Sequence, residues 1–198
     1  MYKAIFTLLI LSTVGSIFKT DAQVPATSGQ SAPKSAIKSN FLYNVTATLN
    51  LGVELSIGRK ITLELPLNYN PWTFSDDKKW RHILIQPELR WWMCERYNGG
   101  FWGVHTHYAF YNAGNLSPLN SGGEMYRYQG WLAGAGISYG YNWILSPRWG
   151  LEATIGAGYA LLKYDRYYCG ECGDFIDHNT RHYFGPTKAG ITLIYLIK

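Results

Sequence analysis

Two histidines and a glutamate are the first candidates for chemistry in this chain of 198 residues. His105 and His107 lie two residues apart, so in a strand both side chains project to the same side. With Glu88 on a neighbouring strand, they form the kind of group that binds metal ions. The alternative is an internal hydrogen-bonded network, because charges away from water need partners. We expect the network, and we predict neither a metal nor a cofactor.

The cysteines offer a second candidate site. Cys169 and Cys172 precede His178 and His182, and the spacing within each pair is typical of zinc ligands. The interval between the two pairs is shorter than in a zinc finger, so zinc is the alternative interpretation. The prediction is a local Cys169–Cys172 disulfide or free thiols, with Cys94 as a small apolar residue.

A lipid-modifying enzyme would need a nucleophile and a base within hydrogen-bond reach. His82, Ser75, Asp76 and Asp77 offer the residue types, together with the two histidines above, but no recognisable nucleophile motif surrounds them. We therefore predict no catalytic residues, and acyl modification of an outer-leaflet lipid such as lipid A is the alternative function.

A two-residue alternation of apolar and polar side chains forms the strands that carry or flank these groups, and it predicts an all-β protein. It runs from about residue 37 to the end and contains eight strand-like segments. We place them at 37–45, 51–57, 61–70, 81–93, 101–112, 126–143, 149–163 and 181–197. For residues 37–57 the pattern leaves open one bent strand or a hairpin. Short connections alternate with long ones, which is typical of a membrane β-barrel.

The composition of the two faces indicates which one points outward. One face is aliphatic and aromatic, whereas the other carries glycines and sparse charges of both signs. The chain is only 16% charged, against about 25% in a typical globular protein. Small residues with a few ionic partners suit a narrow lumen, which the side chains of eight strands just fill. The predicted lumen network comprises Glu54, Glu64, Glu88, Arg90, His105, His107, Glu152 and Lys188. We expect Arg90 and Lys188 each to meet a glutamate.

The N-terminal segment is typical of a secretory signal. Lys3 precedes an apolar run, and Thr20 and Ala22 supply small residues at the cleavage site, so we predict a signal peptide over 1–22. Residues 23–36 form the expected flexible periplasmic lead-in, and 37–198 form the barrel domain. The formal net charge is +5 without a basic cluster, so no nucleic-acid partner is expected.

The final strand resembles the signal that the outer-membrane barrel assembly machinery recognises. Its polar, glycine, apolar and aromatic positions are Lys188, Gly190, Leu193 and Tyr195. With the leader, this predicts an outer-membrane location in which lipid and the assembly machinery are the first partners.

A block of motifs resembles an uncharacterised family of small outer-membrane barrels from Bacteroidota, a domain of unknown function. The block contains Asn68-Tyr-Asn-Pro-Trp-Thr-Phe74, Asp77-Lys-Lys-Trp-Arg-His82, Gln86-Pro-Glu88, Arg90, Cys94-Glu95 and Gly103-Val-His105. The resemblance implies an eight-stranded antiparallel transmembrane β-barrel, broadly like the membrane domain of OmpA. It also implies an occasional association with fimbrial subunits, but it carries no catalytic residues.

The expected function is therefore a structural or docking element of the cell envelope. Loops on a rigid scaffold are where binding usually occurs, so we expect the binding surface at residues 72–80, 115–125 and 164–179. A pore is a third hypothesis, although eight strands leave little room for one.

Overall fold

A β-sheet of nine antiparallel strands accounts for nearly all of the secondary structure in the computed structural model. The structure describes residues 33–73, 79–114, 126–168 and 173–197, which belong to one compact unit, Ser31–Lys198. The strands are β1 (Ser35–Asn40), β2 (Leu49–Ser56), β3 (Ile61–Asn70), β4 (Lys79–Ile85), β5 (Glu88–Trp92), β6 (Gly99–Gly114), β7 (Tyr126–Ile144), β8 (Trp149–Tyr168) and β9 (Phe175–Ile197). A single helical turn, α1 (Phe41–Val45), follows β1.

The sheet closes into a ring. β1 pairs with β9, and the strands otherwise pair in sequence order, except that β4 and β5 do not pair with each other. They occupy the same position between β3 and β6. Nine strands therefore fill eight positions. The predicted strand 81–93 is divided at Gln86 and Pro87 because proline has no N–H to donate to a ladder. The Pro87 carbonyl still accepts from Thr106 N at 3.0 Å, so the position continues across the break.

Residues 37–57 form a hairpin with a helical turn inside it. Asn40 ends β1, and its Oδ1 accepts hydrogen bonds from Leu42 N at 3.1 Å and Ile191 N at 3.2 Å. It is therefore both the N-cap of α1 and the last link between β1 and β9. The segment 41–45, which the alternation assigned to the first strand, is helical instead.

The long strands extend beyond the predicted ones. The segments 164–168 and 175–180, expected in a loop, continue β8 and β9 as paired strands. Arg166 bonds Asp177 across this extension through Nε to Oδ1 at 3.0 Å and a second nitrogen to Oδ2 at 2.8 Å. The hydrogen bond from Arg166 holds the pKa of the Asp177 carboxyl below its ordinary value.

The side chains alternate between a polar interior and an apolar exterior. Buried positions include Glu54, Glu88 and Arg90, whereas Trp91, Val104 and Ile155 are 68%, 61% and 67% exposed. This is the reverse of a water-soluble sheet, whose apolar face is buried. Within the described residues, no helix is both long and apolar enough to cross a membrane.

Candidate functional site

Three glutamates lie side by side on the inner face of the ring. In the strand register Glu54 on β2 is opposite Glu64 on β3, and Glu64 is opposite Glu88 on β5. Like charges directly opposite one another destabilise a sheet. The negative charge of this row must therefore be balanced by cations. A fourth carboxylate, Glu152 on β8, adds to that negative charge.

Arg90 is the central cation of the cluster. Its Nη1 lies 3.0 Å from Glu54 Oε2 and 2.9 Å from Glu152 Oε2, and its Nε donates to Glu88 Oε2 at 2.9 Å. Its other terminal nitrogen pairs with Glu64. One guanidinium thus contacts all four carboxylates because its N–H groups point in several fixed directions. Its carbon also lies 4.4 Å from the centre of the Phe101 ring, a cation–π contact.

Two lysines, one on each of the strands β1 and β9 that close the ring, complete the ion pairs. Lys38 Nζ, on β1, is 2.9 Å from Glu54, 3.2 Å from Glu64 and 2.8 Å from Glu152. Lys188 Nζ, on β9, is 3.0 Å from Glu64 and also pairs with Glu88. These residues link β1, β2, β3, β5, β8 and β9 through their side chains. We call Lys38, Glu54, Glu64, Glu88, Arg90, Glu152 and Lys188 the ionic layer.

Hydroxyl groups bond several of the remaining carboxylate oxygens. Thr62 Oγ1 donates to Glu54 at 2.5 Å, Thr154 Oγ1 donates to Glu152 at 2.9 Å, and the Ser138 hydroxyl donates to Glu88. Buried ion pairs tolerate loss of water only when such additional hydrogen bonds are made. Three cations face four carboxylates, so the ionic layer keeps one formal negative charge in excess.

An apolar plug closes the interior below the ionic layer, at the end with the short turns. It comprises Ala36, Trp92, Tyr97, Phe101, Ile194 and Leu196. Trp92 Nε1 donates to Thr62 Oγ1 at 2.9 Å, which joins the plug to the ionic layer. Tyr97 lies in the turn after β5 with φ of 62°, a conformation rare for a tyrosine. Its hydroxyl donates to the Glu54 carbonyl at 3.2 Å, so the turn folds under the ring.

Little free space remains within the ionic layer. The void beside Lys38, Glu64 and Arg90 is about 20 Å³, which is room for roughly one water molecule. Above it, Asn50 Nδ2 donates to Asn68 Oδ1 at 2.5 Å. The middle of the ring is therefore filled by side chains, and the described residues leave no open passage there.

The two histidines flank the ionic layer on the side of the long loops. His105 Nε2 lies 2.9 Å from Thr187 Oγ1, and the ring centroids of His105 and His107 are 5.8 Å apart. Neither Nδ1 atom has a hydrogen-bond partner within the described part of the chain. The same residues contain no group of three or more side chains arranged to hold a metal ion.

Glycines make room for these imidazole rings. A Cβ at Gly134 would collide with the Tyr159 carbonyl and with His107 Nε2. A Cβ at Gly136 would lie 2.8 Å from His105 Nε2 and 2.5 Å from the Ala157 carbonyl. The glycine column on β7 therefore allows close packing inside a narrow ring.

The structure separates the remaining predicted site residues. His178 pairs with Asp165, and His182 Nδ1 is 2.5 Å from the Tyr159 hydroxyl. Cys169 and Cys172 lie outside the described residues, as do Ser75, Asp76 and Asp77. Cys94 is a free, exposed thiol in the turn after β5.

The residues of the predicted assembly signal divide between the two faces of β9. Lys188 and Gly190 face inward, where Lys188 joins the ionic layer and Gly190 lies against Asn40. Leu193 and Tyr195 alternate with buried Thr192 and Ile194. Tyr195 packs on Trp149 with ring centroids 5.0 Å apart.

Sequence reasoning missed Lys38 and most of the apolar plug. Lys38 lies between Ile37 and Ser39 in a strand whose other buried positions are Ala36 and Asn40. The same alternation that placed the glutamates inside would have placed Lys38 there. Trp92 and Phe101 gave no such signal because an inward aromatic residue has the same chemistry as an outward one.

The chain matches a known protein family. The profile described as "Protein of unknown function (DUF3575)" matches residues 7–197. The match covers nearly the whole chain, so the chain belongs to this family. Neither the curated proteins nor the solved structures contain a significant match.

Proposed function

We propose that this member of the family is an integral outer-membrane β-barrel that does not conduct, and that it serves as a structural or docking element of the envelope. The observation that carries the proposal is the reversed placement of polarity. Charged residues are buried across the middle of the interior, while large apolar side chains cover the exterior of every strand position. In water such a surface would be an extensive exposed apolar patch, whereas in lipid it is the favourable one.

The closed sheet meets the second requirement of a membrane span. Inside a bilayer each backbone N–H and C=O needs a partner within the protein. The pairing of β1 with β9 and of β2 with β3 removes the free edges over the lower part of the ring. Strands of about 9–11 residues cross a bilayer. The 19, 20 and 23 residues of β7, β8 and β9 therefore continue beyond it on the side of the long connections.

The filled interior supports a non-conducting role. An eight-stranded ring leaves little room beyond its side chains, and across the middle and the short-turn end of this ring the ionic layer and the apolar plug occupy that room. Function is then expected at the surface that leaves the membrane. The tall walls from β6 to β9 and their connections offer this surface to envelope or fimbrial proteins, which we propose as partners.

The location is tested by electrophoresis and by labelling. In isolated outer membranes the unheated protein should migrate differently from the heated one, as folded barrels do. In intact cells a membrane-impermeant maleimide should leave Cys94 unlabelled, because the short turns face the periplasm in this proposal. Permeabilised cells should label it. Cys169→Ser and Cys172→Ser in the same chain remove the other thiols. A soluble periplasmic protein, or Cys94 labelled in intact cells, would contradict the proposal.

The docking role is tested by purification of crosslinked complexes from intact envelopes. Photoreactive side chains at Tyr167 and Phe175, on the extension of β8 and β9, should capture a reproducible partner. A photoreactive side chain at Trp91, near the short turns, is the matched control and should not capture it. Identical patterns from both sites would argue against a docking surface at the loop end. Planar-bilayer recordings should show no steady conductance, and a stable open channel would favour the pore.

The alternative, modification of an outer-leaflet lipid, has one supporting contact. His105 and Thr187 form a base–hydroxyl pair at 2.9 Å. A catalytic base is normally oriented through its second nitrogen, yet His105 Nδ1 has no partner in the described chain. Deletion of the gene should leave the mass of lipid A unchanged if the docking role is correct, and a mass change would favour the enzyme.

A further inference from the structure

A cavity of about 610 Å³ occupies the interior on the long-loop side of the ionic layer. Sites for small molecules are usually about 300–1,000 Å³. The polar residues Gln86, His107 and Thr187 line this cavity. Gln86 Nε2 donates to the Thr187 carbonyl at 3.0 Å and His105 bonds the Thr187 hydroxyl. These contacts place Thr187 between the cavity and the ionic layer, so this group forms the floor.

The wall of the cavity is mainly apolar and aromatic. Side chains from β4, β6, β7 and β8 face it, including Leu84, Ala109, Tyr111, Leu132, Leu162 and Tyr164. Above the floor, the interior therefore changes from charged to hydrophobic over a few residues of each strand. The residues of the cavity wall make none of the ion pairs of the ionic layer, so the stability of that layer does not explain why the wall is apolar. An apolar occupant provides an explanation, since the wall would otherwise expose hydrocarbon surface to water.

Cationic groups are the only charged groups that line this cavity in the described chain. Arg81 and Arg181 both contribute to it, both are exposed, and neither pairs with a carboxylate among the residues that the structure describes. No aspartate or glutamate lines the cavity there. An arginine binds carboxylate and phosphate groups through paired N–H donors. The charge of the site therefore fits an anionic head group.

The wall of the ring is interrupted beside this cavity. β1 pairs with β9 only up to Asn40 and Thr192, and above that level β9 residues pair with β8 alone among the described strands. Tyr43 of α1 and Tyr183 and Pro186 of β9 line the cavity from the two sides of the interruption. Here α1 packs against both β9 and β2, so side-chain packing replaces the hydrogen-bonded ladder in the wall beside the cavity.

From these features we infer that the cavity binds one anionic single-chain amphiphile of the fatty-acid class. The hydrocarbon chain lies against the apolar wall and ends above the polar floor, and the carboxylate lies at the arginines. This inference adds a ligand to the proposed barrel. It rests on the proposed function in one respect, namely that a membrane supplies the ligand.

The test is equilibrium binding of radiolabelled laurate to the full chain in nanodiscs of zwitterionic phospholipid, with empty nanodiscs subtracted. We expect saturable binding. Among fatty acids from six to twelve carbons, each added methylene should increase affinity by up to about fourfold, the ratio that corresponds to about 0.8 kcal/mol per buried CH₂. Dodecyltrimethylammonium has the same chain with a cationic head and should not compete.

Matched variants locate the site. Ala109→Phe fills the cavity and should lower laurate affinity at least tenfold, whereas Ala135→Phe adds the same ring to the outer face of β7 and should leave affinity unchanged. Arg181→Gln should weaken laurate binding and leave binding of the uncharged twelve-carbon alcohol unaffected. If Ala109→Phe fails to fold, as judged by its heat-dependent mobility, Ala113→Phe serves the same purpose.

Three results would overturn the inference: no saturable excess over empty nanodiscs, equal binding by the inner and outer phenylalanine variants, or equal competition by the cationic amphiphile. None of these results alters heat-dependent mobility or the labelling of Cys94. Failure of the ligand site and failure of the proposed membrane location are therefore distinguished.

Discussion

Loss of the Arg90 guanidinium is the most direct perturbation of the interior. Arg90→Met preserves much of the apolar length of the side chain but leaves Lys38 and Lys188 facing four carboxylates. The excess of negative charge in the ionic layer rises from one to two. Breaking a buried ion pair by removing one partner costs about 3–5 kcal/mol. We expect the free energy of unfolding to fall by about that amount.

The assay is urea-induced unfolding of the full chain in zwitterionic lipid vesicles, followed by tryptophan fluorescence. Arg90→Lys should be intermediate, since one ammonium cannot reach all four carboxylates. Combining Arg90→Met with Glu152→Gln returns the charge excess to one. It should recover about 0.5–3 kcal/mol, the usual coupling between contacting residues.

Arg59→Met is the matched control for charge loss. Arg59 is exposed in the turn between β2 and β3, so its loss should change stability by less than about 0.5 kcal/mol. If Arg90→Met were as mild as this control, the ionic layer would not stabilise the ring. If the added Glu152→Gln change lowered stability further, charge balance would be the wrong explanation.

Further predictions concern the exterior, the glycine column and the extension. Leu65→Arg, at the middle of the apolar exterior, should lower the free energy of unfolding in vesicles by about 2–4 kcal/mol, and Ile57→Arg, near a turn, by about 0–1 kcal/mol; equal effects would contradict a bilayer around the ring. Gly134→Val should prevent formation of the fast-migrating folded band because its Cβ meets backbone, whereas Ala135→Val, on the outer face, should not. The lowered pKa of Asp177 means that its bond with arginine stabilises the extension above the carboxyl's ordinary pKa and is lost as pH falls through the lowered one. Amide protection factors in the extension, which correct for the slower intrinsic exchange in acid, should therefore fall as pH is lowered, and those of Asp177→Asn should change little with pH.

The alternation of side chains was sufficient to predict most of the ring. It identified the eight positions, the outward apolar face and most of the ionic side chains, because a strand in a closed sheet has two unlike environments. The break at Pro87 was visible in the sequence as a missing donor, although the pattern of side chains continues across it. The placement of α1 was less accessible, since Asn40 terminates β1 through bonds to both Leu42 and the distant Ile191.

The extension of β8 and β9 escaped prediction for a different physical reason. Beyond the ring both faces of a sheet can meet water, so polar residues such as Arg166 and Asp177 occur without the two-residue contrast. Arg166 and Asp177 pair only because β8 and β9 are aligned in a particular register, and that register cannot be read from the sequence. A different limit applies to the cavity. Leu132 and Leu162 lie at inward positions of the alternation, but a leucine there does not by itself indicate that it lines a cavity.

The position of the ionic layer explains how one short ring combines stability with a cavity. Each cation contacts carboxylates from at least two strands, so a few residues near mid-height join the strands on both sides of the closure between β1 and β9. The wall above Asn40 then does not need the continuous pairing that the lower wall has. It can be interrupted by α1 and lined with small and aromatic residues without opening the ring below. If this is correct, weakening the ionic layer by Arg90→Met should reduce laurate binding less than it reduces stability, because the cavity wall remains built by β6, β7 and β8. A proportional loss of both would mean that the two halves of the interior form a single cooperative unit.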